Sequence, residues 1–250
     1  MENHFKFSWE YSDEKYPMDT SKKPLPIFYD FYDPVKDFEN VYEPAEDSFL
    51  LIDSIEMELE HMKFDKTQKI KSVELGCGSG LISICYLSKL RQLNINNYEH
   101  YCIDINKDAV DLTQRLLKNY KLDEGVKVKE GDLFNNFDEN MKFDIIIFNP
   151  PYVTTDKEEY EKALKEKNIY AAWAGGDKGS ETINRFVKDL KNFINDNTVI
   201  FLLLSKENEY GNIINNMKEL YNMDWEILMR KRYKNERLAV IKFQKNFATN

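Results

Sequence analysis

The sequence contains little cysteine and histidine and has no excess of positive charge. Three cysteines and three histidines occur in 250 residues, and their spacing matches neither a disulfide framework nor a zinc site. Because Cys77, Cys85 and Cys102 are odd in number, we expect free thiols in a reducing compartment. We therefore expect cytoplasmic localisation, with the nucleus left open, and we predict no metal site.

Acidic residues outnumber basic ones by 44 to 35, which gives a formal net charge of −9. This negative charge argues against a large nucleic-acid-binding surface, although it is compatible with a local basic patch. Arg230–Lys234 is the most basic cluster, and we expect it to lie between the last two strands. No apolar run reaches the roughly 18 residues that span a bilayer. The first residues do not form a signal peptide, so we expect no membrane association.

Strand-like and helix-like segments alternate along most of the chain. With 42% hydrophobic residues, a chain of this length can bury the core of one α/β domain. We interpret residues 1–40 as a partly ordered N-terminal extension and residues 41–250 as the domain. The charged segment 154–167 is either mobile or helical. The predicted strands are 70–75, 100–103, 126–128, 143–148, 198–204, 225–229 and 238–243, and the predicted helices are 45–62, 81–90, 107–119 and 210–220.

The stretch Asn149-Pro150-Pro151-Tyr152 ends one of these strands. The two prolines lack N–H groups and favour extended geometry before them, so backbone carbonyls stay free at the carboxyl end of a central strand. Open α/β sheets bind ligands at that end. A planar NH2 group could donate one hydrogen to Asn149 and the other to the Pro150 carbonyl, with its face against Tyr152. The alternative is a plain Pro-Pro loop.

A glycine-rich turn, Gly76-Cys77-Gly78-Ser79-Gly80, follows the first strand and precedes a helix. Its spacing differs from the Gly-x-Gly-x-x-Gly of dinucleotide sites. Glu74, two residues before the turn, would repel a pyrophosphate and attract an ammonium group. This combination predicts a site for S-adenosylmethionine.

Two further acids end the next two strands. Asp104 lies 24 residues after the last glycine of the turn, close to where such folds place the acid that accepts both ribose hydroxyls. Asp132 can accept from an adenine amino group, while Leu133 offers its backbone N–H and an apolar face. Asp104 could instead cap the next helix, although Asn106 can do so too, and Asp132 could be an ordinary turn residue. In series with Glu74, both acids are predicted to face the cofactor.

These features predict transfer of a methyl group from a sulfonium to a planar nitrogen. The lone pair of a carboxamide or an aromatic amine is delocalised, so such nitrogens are poor nucleophiles. Acceptors at Asn149 and Pro150 would hold both N–H bonds and aim the nitrogen at the methyl carbon. The motif does not distinguish the amide of glutamine from the 6-amino group of adenine. The acidic charge and the lack of a separate basic domain favour a protein substrate.

Five blocks of the sequence resemble the eukaryotic HemK2-type (Mtq2-like) glutamine methyltransferases. They are Val41–Asp47, Glu74–Gly80, Asp104–Asn106, Asn149–Tyr152 and Ala171–Gly176, and the resemblance extends over about residues 40–243. The resemblance implies a class I Rossmann-like fold, with a seven-stranded, mostly parallel sheet and an antiparallel C-terminal strand. It implies N5-methylation of the glutamine in the Gly-Gly-Gln motif of the eukaryotic class 1 translation release factor. It also implies a heterodimer with a small zinc-binding activator protein that covers an apolar sheet edge.

The resemblance further assigns roles to residues. We assign catalysis to Asn149, Pro150 and Tyr152. We assign substrate binding to Asn149, Pro151, Tyr152 and Trp173. Histone lysine and DNA adenine stay open as additional substrates. The alternative to an enzyme is a scaffold that binds a partner and has no catalytic activity. The chain departs from the family in its longer N-terminal arm and in residues 91–99. The cofactor is expected at the positions Asp47, Ser48, Glu74, Gly76, Gly78, Asp104, Asp132, Leu133 and Asn149.

Overall fold

The computed structural model describes residues 14–16, 30–233 and 236–245. Most of the predicted N-terminal extension, including Phe28 and Tyr29, lies outside the described residues. Within the described chain the helices are α1 (Pro34–Asp37), α2 (Glu46–His61), α3 (Leu81–Gln92), α4 (Lys107–Asn119), α5 (Lys157–Glu166), α6 (Glu181–Asp189) and α7 (Tyr210–Tyr221). The strands are β1 (Ile70–Leu75), β2 (Tyr98–Asp104), β3 (Val126–Glu130), β4 (Phe143–Phe148), β5 (Ile194–Ser205), β6 (Asp224–Tyr233) and β7 (Glu236–Gln244).

These strands form one seven-stranded sheet in the order β3-β2-β1-β4-β5-β7-β6. Neighbouring strands from β3 to β5 pair in parallel, and β7 runs antiparallel to both β5 and β6. The strand order reverses between β1 and β4, so the carboxyl ends of these two strands flank the point where open sheets bind ligands. The predicted fold class is confirmed.

Side chains alternate between the two faces of the central strands, so two hydrophobic layers form. Ile145 and Ile147 of β4 point into the layer with α2, α3 and α4. Ile146 and Phe148 of the same strand point into the layer with α6 and α7, and Phe143 joins them because the register shifts between Phe143 and Ile145. Both faces of β4 are covered, and this strand is almost continuously hydrophobic, as buried parallel strands are. Among the described residues no helix is long and apolar enough to cross a membrane.

The basic cluster near the C-terminus does not lie between two strands as predicted. Arg230 and Lys231 belong to β6, which continues to Tyr233. Lys231 forms an ion pair with Glu46, and the backbone N–H of Arg230 donates to Glu14 at 2.9 Å. The prediction failed because charged residues can continue a strand that lies at the edge of a sheet.

The described part of the N-terminal arm pairs with the same edge strand. Backbone N–H groups of Lys15 and Tyr16 donate to carbonyls of β6, both at 2.9 Å. Their side chains reach Glu58, which is buried and also accepts from Lys242 at 2.6 Å. Burial alone would raise the pKa of Glu58, but the ammonium groups of Lys242 and Lys15 outweigh it and hold that pKa below its usual range. These residues of the arm therefore cover one edge of the sheet.

Gly80 ends the glycine-rich turn in a left-handed conformation, with φ of +79°. A Cβ there would lie 2.8 Å from Thr113 Oγ1. We expect Gly80→Ala to lower the free energy of unfolding by about 1–3 kcal/mol, measured by urea denaturation. Gly211 in α7 is the matched control, because a Cβ there meets nothing within 4 Å. Gly211→Ala should be neutral or stabilising, and an equal loss in both variants would contradict the steric argument.

Candidate functional site

A cleft of about 710 Å³, partly open to solvent, lies at the carboxyl ends of β1 and β4. Leu75 and Phe148, the last residues of the two strands, are partners in the parallel register. Gly76 and Asn149 therefore lie side by side, and a Cβ on Gly76 would be 3.7 Å from the Asn149 carbonyl. The lining comprises Val41, Tyr42, Pro44, Asp47, Ser48, Gly76, Cys77, Gly78, Ser79, Leu81, Ile82, Asp104, Asn106, Ala109, Asn149, Pro151, Asn168, Ala171 and Ala172.

The glycine-rich turn forms one wall of this cleft and is tied to β2. The N–H of Cys77 donates to the Ile103 carbonyl at 3.0 Å, and the N–H of Gly78 donates to Asp104 Oδ2 at 2.8 Å. The other oxygen of Asp104 accepts from the N–H of Asn106 at 2.8 Å. Burial raises the pKa of Asp104, and these backbone N–H groups oppose the rise. A carboxylate oxygen can accept more than one hydrogen bond, so Asp104 keeps capacity for a ligand in the cleft.

Asn106 has the capping role that was considered for Asp104. Its side-chain oxygen accepts from the N–H of Asp108 at 2.9 Å at the start of α4. Its amide nitrogen donates to the Asn40 carbonyl at 2.8 Å, which attaches the segment before α2 to the cleft. Asp104 is thus not needed as the cap.

The side chain of Asn149 is held in one orientation by Asp47 of α2. Asn149 Nδ2 donates to Asp47 Oδ2 at 3.0 Å. Because a carboxylate only accepts, the nitrogen of the amide must face Asp47, and the oxygen faces away from it. Asn149 Oδ1 is buried and has no hydrogen-bond partner. Such an atom carries a free-energy penalty of about 1–3 kcal/mol until a donor reaches it, which marks it as a site for a donor from a ligand.

The loop after Asn149 is attached to a second loop, residues 173–179, by backbone hydrogen bonds. Val153 pairs with Ala174 in an isolated parallel bridge. The N–H of Val153 donates to the Trp173 carbonyl at 3.0 Å, and the N–H of Gly175 donates to the Val153 carbonyl at 2.8 Å. The Ala171–Gly176 block therefore supports the Asn149–Tyr152 loop. The Tyr152 hydroxyl donates to Glu236 at 3.5 Å. Burial, with Asp47 and Glu236 adding, raises the pKa of Tyr152.

Glu74 does not line the cleft. Its side chain is 1% exposed and accepts a hydrogen bond from Ser83 of α3. Ser83 Oγ also lies 2.8 Å from His100 Nε2 and 3.2 Å from Cys102 Sγ. Burial raises the pKa of Glu74 to about 8, although the Ser83 hydrogen bond partly opposes the rise. The structure thus places Glu74 against α3 and outside the lining, and its role as a direct cofactor ligand stays a prediction.

The spacing of cysteines and histidines in the sequence did not reveal this cluster. The ligand atoms of Glu74, His100 and Cys102 lie within 4.8 Å of one another, as in a group that could hold a metal ion. The Ser83 hydroxyl lies between them and is within hydrogen-bond distance of each. We therefore interpret the cluster as a buried hydrogen-bond network.

Asp132 and Leu133 also lie outside the lining. Asp132 forms an ion pair with Arg185 of α6. Leu133 is 7% exposed and packs in the layer with α6 and α7. Their predicted contact with an adenine ring stays a prediction. Pro150, Tyr152 and Trp173 do not line the cleft either, whereas Asp47, Ser48, Gly76, Gly78, Asp104, Asn149 and Pro151 do.

The charges of the lining suit a cation. Asp47 and Asp104 line the cleft, and none of the lining residues is a lysine or an arginine. A phosphate group would therefore face carboxylates without a basic partner, whereas a sulfonium or an ammonium group would be stabilised by them. The described lining also includes Asn168, which lies just after α5 and caps the short turn Ile169–Ala172; the sequence did not indicate it, because an asparagine that follows a charged segment carries no distinguishing pattern.

Comparisons with known proteins agree on one family. Residues 53–172 match the methyltransferase small domain. The chain is 30% identical to the eRF1 methyltransferase catalytic subunit mtq2 of Schizosaccharomyces pombe, over 72% of this chain and 78% of the relative. It is 30% identical to methyltransferase HEMK2 of Homo sapiens, over 84% of this chain and 92% of the relative. A putative protein N5-glutamine methyltransferase of Methanocaldococcus jannaschii is 34% identical, over 80% and 90%.

Solved structures show the same fold. The Mtq2–Trm112 complex of E. cuniculi, described as responsible for methylation of the eRF1 termination factor, matches with a TM-score of 0.54 and 24% identity, over 82% of this chain and 99% of that chain. The N-terminal domain of human METTL16 in complex with SAH matches with a TM-score of 0.51 and 14% identity, over 84% and 74%.

The buried position of Glu74 predicts a specific dependence of stability on pH. The unfolded chain ionises this carboxyl near the ordinary pKa of 4.5, whereas the folded chain keeps the proton up to about 8. The contribution of Glu74 to the free energy of unfolding is therefore complete below the unfolded pKa. It declines as pH rises from the unfolded pKa to the folded pKa, by up to about 1.4 kcal/mol per pH unit. Glu74→Gln removes this titration. Urea denaturation from about pH 5 to pH 8 should show wild type losing stability relative to the variant, and parallel curves would contradict the assignment.

Proposed function

The chain belongs to the family of the HEMK2 and mtq2 methyltransferases, and on that premise we propose that it methylates the side-chain amide nitrogen, N5, of glutamine in the Gly-Gly-Gln motif of the eukaryotic class 1 translation release factor. The observation that carries the proposal is the buried, unpartnered Asn149 Oδ1, which Asp47 orients towards a donor. A primary amide supplies such a donor.

The proposed methyl donor is S-adenosylmethionine. The acidic lining and the absence of basic side chains among the described lining residues fit a sulfonium. We propose that the glycine-rich turn, Asp104 and Ser48 hold this cofactor, which when bound supplies an electrophilic methyl group. Direct contacts with Glu74, Asp132 and Leu133 remain predictions from the family resemblance, because their side chains do not line the cleft.

In the proposed reaction the chain's own residues act by positioning. Asn149 Oδ1 and the Pro150 carbonyl accept the two N–H bonds of the substrate amide and aim its nitrogen into the cleft. Acceptors in these positions also stabilise the positive charge that develops on the nitrogen. Orientation of two reactants contributes on the order of 7–11 kcal/mol in favourable cases. Because the nitrogen becomes acidic once it is alkylated, its proton can leave afterwards, and no side chain is required to act as a general base.

The charge pattern favours a protein substrate over nucleic acid. Arg230 and Lys231, the strongest candidates for a basic patch, are engaged with Glu14 and Glu46. This pairing reduces the charge available for phosphate contacts, which dominate nucleic-acid affinity. Because translation release factors act in the cytoplasm, we propose a cytoplasmic localisation, with the nucleus left open.

We propose that the activator partner binds along β3. The sheet has two edge strands, β3 and β6. Residues of the N-terminal arm already pair with β6, whereas β3 has a strand partner on one side within the described chain. An open edge strand offers unpaired backbone groups to another chain. In the E. cuniculi structure Mtq2 is in complex with Trm112, and we propose a small zinc-binding protein of this kind as the partner here.

Hydrogen exchange tests this placement. We expect the backbone amides of Val128 and Glu130, which point away from β2, to exchange about tenfold or more slowly in the complex with the activator than in the isolated chain, because new inter-strand hydrogen bonds protect them. The amides of Asp224–Tyr233 should exchange at the same rate in both states. Protection that appears on β6 and not on β3 would contradict the proposal.

The substrate is tested by incubating the chain and its activator with labelled cofactor and release factor. We expect label on the glutamine of the Gly-Gly-Gln motif, and a release factor with that glutamine changed to alanine should stay unlabelled. Oligonucleotides and histones serve as competing substrates in parallel reactions. Activity on adenine or on histone lysine, with none on the release factor, would overturn the proposed substrate.

Asn149→Ala tests the role of the unpartnered oxygen. We expect methyl transfer to fall by about a hundredfold or more, as for the loss of one oriented polar group in other enzymes. Cofactor affinity by calorimetry should change little, because the turn and Asp104 stay in place. Asn197→Ala, at an exposed position before the buried part of β5, is the control and should be fully active. Near-normal turnover in Asn149→Ala would contradict the role.

A further inference from the structure

Asn208 is a buried side chain that joins three segments beside the cleft. It ends the short turn Lys206–Asn208 after β5 and is 1% exposed. Its Oδ1 accepts from the N–H of Ser205 at 2.8 Å, which fixes the amide to the end of the strand. Its Nδ2 donates to the carbonyls of Tyr152 at 3.0 Å and Gly179 at 2.9 Å, and lies 3.2 Å from the carbonyl of Lys178.

These acceptors belong to two different loops. Tyr152 is the last residue of the Asn149–Tyr152 stretch, and Lys178 and Gly179 belong to the loop 173–179. A buried carbonyl that loses its donor is destabilised by about 1–3 kcal/mol. Because one amide group satisfies carbonyls on both loops, the loops are held at a fixed separation.

The two loops touch through their backbones at this point. A Cβ on Gly179 would lie 1.9 Å from the Tyr152 carbonyl oxygen, and a Cβ on Gly175 would lie 2.8 Å from the Pro151 carbonyl oxygen. No side chain larger than hydrogen fits there without displacing backbone. The close approach of the two backbones therefore leaves no free space at this contact. Asn208 holds the two loops together there through its hydrogen bonds to both.

We propose that Asn208 is a positioning residue for methyl transfer, which holds the Tyr152 carbonyl against Gly179 and thereby fixes the Pro150 carbonyl and the Asn149 amide upstream of it. The inference rests on the proposed function for its link to turnover. Asn208 does not line the cleft, so it acts through the loop and not on the cofactor. A displacement of about 1 Å in such a group can reduce a rate by a hundredfold.

Asn208→Asp and Asn208→Ala test the proposal. Aspartate has the same size but no N–H to donate, and it places an acceptor against three carbonyl oxygens. Alanine removes the group. Asn212→Asp is the matched control, because its amide lies at the surface of α7 and donates to Glu209 at 3.3 Å. Each protein is assayed for cofactor affinity by calorimetry, for kcat and KM, and for amide hydrogen exchange.

We expect kcat to fall about tenfold to a hundredfold in both Asn208 variants, while the dissociation constant of the cofactor stays within about twofold. The amides of Val153, Thr155 and Gly175, which donate between the two loops, should exchange about tenfold faster in these variants. The control should match wild type in every measurement. The split between turnover and cofactor binding is not expected from a general loss of stability.

Three results would overturn the inference. The first is normal kcat in both Asn208 variants, and the second is loss of cofactor binding in both, since Asn208 would then support the whole fold. The third is unchanged exchange of the three amides. If wild type does not methylate the release factor, the proposed function fails, and the exchange experiment still decides whether Asn208 holds the loops together.

Discussion

The hydrogen bond from the Asn149 amide to Asp47 determines which atom of Asn149 is offered to a ligand. Without it the amide could rotate and present nitrogen or oxygen alike, and a substrate NH2 group would meet a donor half of the time. With Asp47 as acceptor, only the oxygen remains, buried and without a partner. An amide nitrogen is a poor nucleophile whose activation depends on orientation. This single contact makes Asn149 present an acceptor that can orient the NH2 group of the substrate.

The rest of the structure brings these two residues together and keeps them in place. Asp47 lies in the first turn of α2, while Asn149 follows β4, and 102 positions separate them in the chain. The pairing of β1 with β4 places Asn149 beside the glycine-rich turn. Loop 173–179 and Asn208 then hold the backbone after Pro151. Backbone contacts thus place the cleft and the loop, and the side chains of Asp47 and Asn208 fix the acceptors within it.

Local patterns in the sequence were sufficient for the α/β class, whereas the seven-stranded, mostly parallel sheet was expected from the family resemblance. Strand residues before Asn149 and before the glycine-rich turn, followed by helical periodicity, predicted the α/β order that the structure shows. The meeting of Gly76, Asp104 and Asn149 at one edge was predicted too, because the carboxyl ends of parallel strands lie together there. The position of Asp47 and Ser48 near the cofactor was expected only from the family resemblance. The partnership of Asp47 with Asn149 was not predicted, since periodicity indicates which face is buried but not which polar atoms meet across the chain.

Side-chain direction accounts for the other differences. Glu74 was expected in the cleft, but it turns inward to Ser83, and Asp132 pairs with Arg185. Ser83 lies nine residues after Glu74 and Arg185 lies 53 residues after Asp132, both on helices, and sequence spacing does not indicate which of these side chains pair. Asn208 gave no signal either, because an asparagine after a strand is typical of an ordinary turn. Arg230 and Lys231 were taken for a connection because strands with several charges are rare away from sheet edges.

The most direct test of the central claim is the single-turnover rate of Asp47→Asn, compared with its cofactor affinity. An asparagine at this position can donate as well as accept, so it no longer fixes the orientation of Asn149. We expect the rate of methyl transfer to fall by about tenfold to a hundredfold at saturating cofactor, because the acceptor oxygen is misdirected in part of the molecules. An unchanged rate at saturating cofactor would contradict the account.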